Sequence, residues 1–488
     1  MGYTNKVVVI GAGISGLACA YRLKRLGIPC LVLEAQDRPG GMIATIRRGG
    51  FLFETGPQFP RFPRPVWDLV RELNLENEFL PGDSKAKRYI LRNSRLYRAP
   101  FSPQGLIGTG LLGFGSKFRI LSEVFRSSYP PPQEESLAEF VKRKFGAEVL
   151  DYLVDPLIST VFFGDPCKMG MESAFPALVE WERNQGSLVR GAIHARGAKR
   201  RTAKENPSPQ SARTARNGGS LRVTDSLPTL GSFRSGMAAL PEKLAAELHQ
   251  EIHYQAAITR LELKQIEDEV LKSSWQITLS SGEKISAEHL ILGVPAHAAA
   301  QLLDNALPQL AASLKAIEYA PACAVSSAYN RSQISHTLDG FGYMIPRREG
   351  FEAICTFWNS SLFPGRAPEG KVLMTSFTRG AGSSTTPVNE DYASIVEAEN
   401  AAALGIKGPP LDRVIWNESR ALPQYNVGHA LIVRQIQELL REIPGLSIVG
   451  NFLGGRSIGD CVDAAFAAAQ DVHSQMRGES IKAFAKSS

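Results

Sequence analysis

The sequence predicts an α/β chain whose first unit binds a dinucleotide. Three observations carry this: a glycine-rich turn between a strand and a helix at the N-terminus, an acid closing the next strand, and a C-terminal strand and helix of the same style. At 488 residues and 43% hydrophobic content, the chain can bury a sizeable core and form two or three packed units.

Residues 6–34 read as strand, turn, helix and strand: "KVVVIGAG", then "ISGLACAYRLKRLG" with apolar residues at helical spacing, then "PCLVLE". Helical patterns follow in "PVWDLVRELNL" and "SLAEFVKRKFG", interrupted by the proline-rich "SSYPPPQEE". Beyond a polar stretch, "MAALPEKLAAELHQ" predicts a helix, and "ITRLELKQ", "SWQITLSSGEKI" and "EHLILGVP" predict strands. A mixed segment from about 300 to 440 holds strands at "PACAVSSAYN", "FEAICTFWN" and "KVLMTSFT". The closing strand "LSIVGNFLGG" and the alanine-rich helix "SIGDCVDAAFAAAQDVHSQM" are expected to fold back onto the N-terminal unit.

The turn itself is G-x-G-x-x-G: Gly11, Ala12, Gly13, Ile14, Ser15, Gly16. The first glycine permits the tight turn, the second lets a pyrophosphate approach, and the third lets helix and strand pack closely. The helix N-terminus then faces the phosphates with its positive end. Glu34 closes the second strand, where a carboxylate accepts hydrogen bonds from ribose hydroxyls. That argues against a 2′-phosphate and leaves NAD and FAD both open.

"EAQDRPGGM" follows, with Ala35, Arg38, Gly40, Gly41 and Met42 directly after the ribose-binding strand. In the family of amine oxidases, phytoene desaturases and protoporphyrinogen oxidases a similar R-x-G-G marks FAD. "FLFETGPQF", with Glu54, Gly56, Pro57, Gln58 and Phe59, resembles that family's second flavin-side loop. FAD is therefore the expected cofactor, with NAD the runner-up. A disulfide-reductase reading fails, because no redox cysteine pair follows the first unit and no second glycine motif has the strand and acid it needs.

Six further segments resemble the protoporphyrinogen oxidases in order: "VFFGDPCKM", "SFRSGMAALPEKL", "GFGYMIPRREG", "SSLFPGRAPEGKVLMTSF", "ALPQYNVGH" and "GNFLGGRSIGDCV". The resemblance implies a discontinuous Rossmann-like FAD-binding domain of the amine oxidase type (1–85, 230–300 and 440–488). It also implies a mixed-sheet substrate domain (86–94 and 300–440) and an inserted helical, membrane-associating domain (95–225). The implied reaction is oxidation of protoporphyrinogen IX to the porphyrin in three hydride transfers, with O₂ as acceptor and H₂O₂ as by-product. Coproporphyrinogen III is the alternative substrate; an amine oxidase, a carotenoid desaturase and a non-enzymatic flavoprotein that delivers or senses porphyrin are the remoter ones. Arg88 matches the arginine that holds a substrate propionate, and guanidinium suits bidentate carboxylate recognition. Gly164 matches a glycine whose carbonyl faces the macrocycle, and Met344, Phe357 and Phe377 match residues that sandwich its rings. Ala257 falls at the adenine contact, Trp416 is a weaker cofactor candidate, and Asn451, Arg456, Ser457 and Ile458 fall at flavin contacts. Arg456 and Arg379 depart from the family's pattern, and extra positive charge there suits a substrate with more carboxylates or points to solvent. The resemblance is compatible with handover of product to a chelatase and with a homodimer.

The net charge of +7 sits in one place. Between Arg190 and Arg216 eight basic residues face one acid, without an aromatic. That composition predicts a solvated loop over 190–225, with an anionic membrane surface as the second reading, and it argues against nucleic acid. Six scattered cysteines and no signal peptide predict a reducing, cytoplasmic setting, peripheral to the inner face of the cell membrane. No metal site is expected: His249 and His253 are four apart, yet a helix ends between them. "GLLGFGSKFRILSEVF" reads equally as an interfacial helix and as a buried amphipathic one.

Overall fold

The computed structural model describes residues 3–83, 85–100, 102–195, 229–265, 273–379, 390–455 and 457–477. Its N-terminal unit is strand β1 (Tyr3–Ile10), helix α1 (Ile14–Arg25) and strand β2 (Cys30–Leu33). These open a seven-stranded sheet in the order Ile252–His253, β2, β1, Lys284–Leu292, Ser273–Leu279 and Ile258–Gln265, with Leu446–Ile448 paired to Lys284–Leu292.

The core of that sheet is parallel and buried on both faces, which explains its unbroken apolar strands. Alternation divides them: Val7, Val9 and Val32 enter one core, and Val8, Ile10, Leu31 and Leu33 the other. The first core is covered by α1, Arg64–Glu72, Ala239–Glu247 and the C-terminal helix Ile458–Met476. Ala465 and Ala469 of that last helix lie in one core with Ala18 and Ala20 of α1. The chain's end thus folds back onto its beginning, as the alanine-rich pattern predicts.

A second sheet runs Asp412–Pro423, Tyr319–Asn330, Lys371–Thr378, Ala353–Phe357, Gly340–Met344, Lys87–Arg92 and Arg95–Arg98. All neighbours are antiparallel except Gly340–Met344 with Lys87–Arg92. Helix Glu390–Leu404 covers one face through Tyr392, Val396 and Asn400. There Asn400 accepts from the Tyr343 and Thr356 hydroxyls at 2.7 and 2.8 Å and donates to Ser376 at 2.8 Å. This satisfied buried network fixes that face and leaves the opposite one for the site.

The helices between residues 103 and 185 form a body of their own, with Leu137, Phe140, Val141, Ile158 and Phe162 at its core. Ser136 starts Leu137–Lys144 with a capping box.

Two placements differ from the sequence reading. Helices Pro308–Lys315 and His429–Arg441, expected with the substrate region from 300 to 440, turn Leu310, Leu314 and Ile436 onto the nucleotide sheet, beside Leu303 of Ala296–Leu303, the helix at that boundary. Residues 95–98, expected in the helical insertion, form a hairpin strand with 87–92. On the third stretch, left open above, the outcome is mixed: helix Phe114–Leu121 has no fully buried residue, while Leu111, Leu112 and Glu123 on either side of it are buried. The predicted basic loop lies outside the described residues from 196 to 228. Among the described residues no helix is long and apolar enough to cross a membrane.

Candidate active site

Gly11, at the end of β1, has φ +97°, and a Cβ there would stand 2.9 Å from the Gly293 carbonyl oxygen. At Gly16 a Cβ would meet the Gly11 carbonyl oxygen at 1.9 Å, so helix and strand touch there. Gly13 differs, because nothing lies within 4 Å of where its Cβ would be. The outer glycines are required by the protein's own packing, and the middle one opens onto free space at the N-terminus of α1. That N-terminus, with Gly13 as N-cap and Ile14 and Ser15 in its first turn, carries no side-chain cap. An uncapped helix end beside a glycine that faces space fits a pyrophosphate.

Glu34 stands at the end of β2, buried, and accepts hydrogen bonds from the Ala12 and Gln36 amides at 2.6 and 2.9 Å. These bonds orient a carboxylate beside the cradle, where a ribose would lie. Ala35 follows it, and the next turn closes the cradle. Gly40 donates to the Ala12 carbonyl at 2.8 Å, Arg38 donates to the Gly41 carbonyl at 2.9 Å, and a Cβ on Gly41 would sit 3.5 Å from the Gly13 Cα. Ala257 is next to Ala256, whose amide donates to the Glu34 carbonyl.

The flavin-side loop packs on the same turn. A Cβ on Gly56 would meet the Met42 carbonyl oxygen at 2.3 Å. Beyond Pro57, the Gln58 amide group donates to the Glu54 and Gly56 carbonyls and accepts from Asn359 at 2.6 Å, which ties the loop to the second sheet. Phe59 meets Phe357 edge-on at 4.8 Å and Phe341 at 5.2 Å. From the C-terminal side, the Asn451 carbonyl accepts from the Tyr425 hydroxyl at 2.7 Å, and Tyr425 stacks on His429 at 4.5 Å. His429 is held neutral, its pKa lowered by burial, with Nε2 3.0 Å from the Phe452 carbonyl oxygen. Ser457 caps the last helix in a capping box with Asp460, and Ile458 is buried in the core beneath. Arg456 lies outside the described residues.

The substrate candidates come together by register. Arg88, Gly342, Phe357, Thr375 and Ser326 are successive cross-strand partners. One rung on, Ile90, Met344, Cys355, Phe377, Ala324 and Trp416 are likewise partners. Arg88, Met344, Phe357, Phe377 and Trp416 therefore share one face of the second sheet. Gly342 has φ +130°, and a Cβ there would meet the Thr356 carbonyl oxygen at 2.0 Å. Arg88 lies over the Phe341 ring at 4.2 Å, its pKa lowered by burial and by Arg61.

Met344 is buried among the helical body, in one cluster with Ile158 and Phe162, whereas Phe357, Phe377 and Trp416 cluster with Phe163. Trp416, a cofactor candidate in the sequence, thus lies on the sheet face that carries Phe357 and Phe377. The Gly164 carbonyl accepts from Arg347 at 3.2 Å, and its Cβ position is blocked by Gln424 at 2.9 Å.

The sequence gives no signal for Phe163, whose ring meets Phe377 edge-on at 5.4 Å. It gives none either for the pairing of Arg347 with Asp155 and Asp165, or of Arg366 with Glu54. His249 and His253 do not share a helix face: Ala239–Glu247 ends before the first, and the second lies on Ile252–His253.

Comparison with known proteins agrees with this geometry. The chain matches the flavin containing amine oxidoreductase family over residues 14–473. It is 31% identical over 499 residues to protoporphyrinogen oxidase 1, chloroplastic, of Arabidopsis thaliana, covering 97% of this chain and 89% of the relative. Against coproporphyrinogen III oxidase of Bacillus subtilis the identity is 27% over 486 residues, covering 95% and 97%. Among solved structures, a proposed protoporphyrinogen oxidase from Exiguobacterium superposes with a TM-score of 0.76 at 21% identity, covering 96% of this chain and 99% of that one. Reduced UDP-galactopyranose mutase superposes at 0.69 and 19%, covering 97% and 96%, so the fold is shared beyond one activity. The cradle at Gly13, the carboxylate of Glu34 and the loop at Gly56 have the shape and donors an FAD would need, and the chain belongs to the flavin-containing amine oxidoreductase family.

Proposed function

We propose that the protein oxidises a porphyrinogen to the corresponding porphyrin with O₂ as the final acceptor. The observation that supports this most is the face of the second sheet opposite helix Glu390–Leu404. It carries a guanidinium at one edge and a floor of Phe357, Phe377 and Trp416, with Phe59 of the flavin-side loop against Phe357. Aromatic and apolar side chains suit a flat macrocycle, and Arg88 suits a propionate arm.

Gly11 to Gly16, Glu34, Arg38 to Met42 and Gly56 to Phe59 would hold FAD, with Asn451, Ser457 and Ile458 at its flavin end. When bound, FAD supplies the two-electron chemistry, accepting hydride from a meso carbon and passing the electron pair to O₂. The protein's own work is positioning. Arg88 anchors the carboxylate, the aromatic floor sets the ring plane, and the buried face excludes water from the carbon that reacts. An electron-rich meso carbon loses hydride without a strong base, so no acid–base pair is required on this face.

Names of the relatives divide between protoporphyrinogen and coproporphyrinogen, and both substrates belong to this reading. Purified protein mixed with either porphyrinogen in air should give porphyrin fluorescence and H₂O₂ together. A rate no faster than autoxidation overturns the proposal.

The reading includes a membrane-surface contact at the helical body. Phe114, Phe118 and Phe125 are 88%, 67% and 87% exposed beside an apolar groove of about 440 Å³ lined by Leu106, Ile120, Leu121, Val124 and Val189. Lys117, Arg119 and Arg126 accompany them in sequence, the combination that favours an anionic lipid surface. Flotation with anionic vesicles tests it; protein that stays at the bottom of the gradient contradicts it.

A further inference from the structure

We propose that Arg379 is a second carboxylate-binding residue, placed across the aromatic floor from Arg88, so that the preferred macrocycle carries carboxylates on opposite edges. The inference rests on the porphyrinogen reading and narrows it, because coproporphyrinogen III bears a propionate on each pyrrole whereas protoporphyrinogen IX has both of its propionates along one edge.

Arg379 follows the strand Lys371–Thr378 two residues after Phe377, so strand alternation puts it on the Phe377 side of the sheet. Its Nη2 donates to the Ser159 hydroxyl at 3.3 Å, which lays the side chain against helix Asp155–Phe162, just before Phe163 and its contact with Phe377. Its Nε is buried with no hydrogen-bond partner. Among the described residues no carboxylate pairs with it. The nearby acids are already engaged. Asp155 accepts from the Arg347 amide and Nε at 2.8 and 3.3 Å, and Asp165 accepts from its Nη1 at 3.3 Å. Burial, with the Arg347 charge beside it, lowers the Arg379 pKa from the ordinary value. Asp155, Asp165 and Glu352 act on Arg379 only at a distance, and a largely buried guanidinium without a direct ion pair is costly, a cost that a ligand bringing the anion reduces.

The spacing fits. Arg88 shares a rung with Thr375, and Arg379 lies four residues further along that strand and three strands across. At roughly 3.3 Å per residue and 4.8 Å per strand the two Cα atoms are roughly 20 Å apart. With Arg88 over the Phe341 ring and Arg379 against Ser159, a gap of that order is comparable with the span of a tetrapyrrole with outstretched propionate arms. Phe357 and Phe377 lie between them.

The test is Arg379→Leu and Arg379→Lys in the holoenzyme, assayed with both porphyrinogens and by fluorescence titration with coproporphyrin III. The leucine variant should lose at least tenfold more kcat/KM on coproporphyrinogen III than on protoporphyrinogen IX, chiefly through KM. It should bind coproporphyrin III at least tenfold more weakly and keep or raise the thermal midpoint, since no protein ion pair is broken. Lysine should recover part of the loss. Equal losses on both substrates, unchanged coproporphyrin binding, or a lowered midpoint that lysine restores overturns the assignment. If wild type oxidises neither macrocycle, the activity reading fails by itself, and the titration still decides whether Arg379 holds a carboxylate.

Discussion

Three glycines within six residues, Gly11, Gly13 and Gly16, serve two different purposes, and substitution separates them. A side chain at Gly13 would project into free space, and one at Gly16 into the Gly11 carbonyl at 1.9 Å. Gly13→Val should therefore fold and purify with its flavin absorbance largely lost. Gly16→Ala should lower stability by roughly 1–3 kcal/mol from overpacking, visible as a reduced thermal midpoint even without cofactor. A Gly13→Val protein that keeps its flavin would contradict the pyrophosphate assignment. These residues were legible in the sequence because the turn, the helix start and Glu34 all lie within one local unit. Arg347 and Asp155 were not, since they are 192 positions apart and neither stands in a local pattern. Phe163 was likewise illegible: its place depends on how helix Asp155–Phe162 lies on the second sheet.

Outside the two large sheets, a buried ion pair joins the strand Phe51–Glu54 to the loop that precedes Lys371–Thr378. Glu54 accepts from the Thr45 hydroxyl at 2.6 Å and the Met237 amide at 2.9 Å, with Arg366 at 3.7 Å. Arg366 in turn donates to the Ser232 hydroxyl at 2.6 Å and the Phe233 carbonyl at 3.0 Å. Burial raises the Glu54 pKa, so the neighbouring cation and donors only partly offset its desolvation. Arg366→Met should cost about 3–5 kcal/mol, because it leaves a buried carboxylate unpaired. Chemical denaturation measures it; a loss below about 1 kcal/mol, the range of a surface pair, would show the contact to be incidental. Strand patterns could be read closely at this scale: "ITRLELKQ" and "KVLMTSFT" are the observed strands Ile258–Gln265 and Lys371–Thr378. Helices 308–315 and 429–441 show why the rest could not. An amphipathic face states that a helix is buried, and does not state against which sheet.

Over the whole molecule, burial lowers the pKa of His289, His297, His336 and His429. Each is neutral in the fold and takes up a proton in the unfolded chain near pH 6.5, so stability is present above about 6.5 and is lost as pH falls towards the folded values. The thermal midpoint should drop between about pH 7 and pH 5, and a flat midpoint there would show that these rings titrate freely. At the same scale the sequence placed the two ends of the chain together, because both have the same strand-and-helix style. It left open which face of the second sheet carries the site, since that depends on Glu390–Leu404 covering the other. The central claim is that a porphyrinogen held on this face passes electrons to FAD. Anaerobic mixing of holoprotein with a porphyrinogen measures it most directly. The account predicts that the flavin colour bleaches as porphyrin forms, more slowly in Arg88→Ala, and returns on admitting air. A flavin that stays oxidised in the presence of excess porphyrinogen would contradict it.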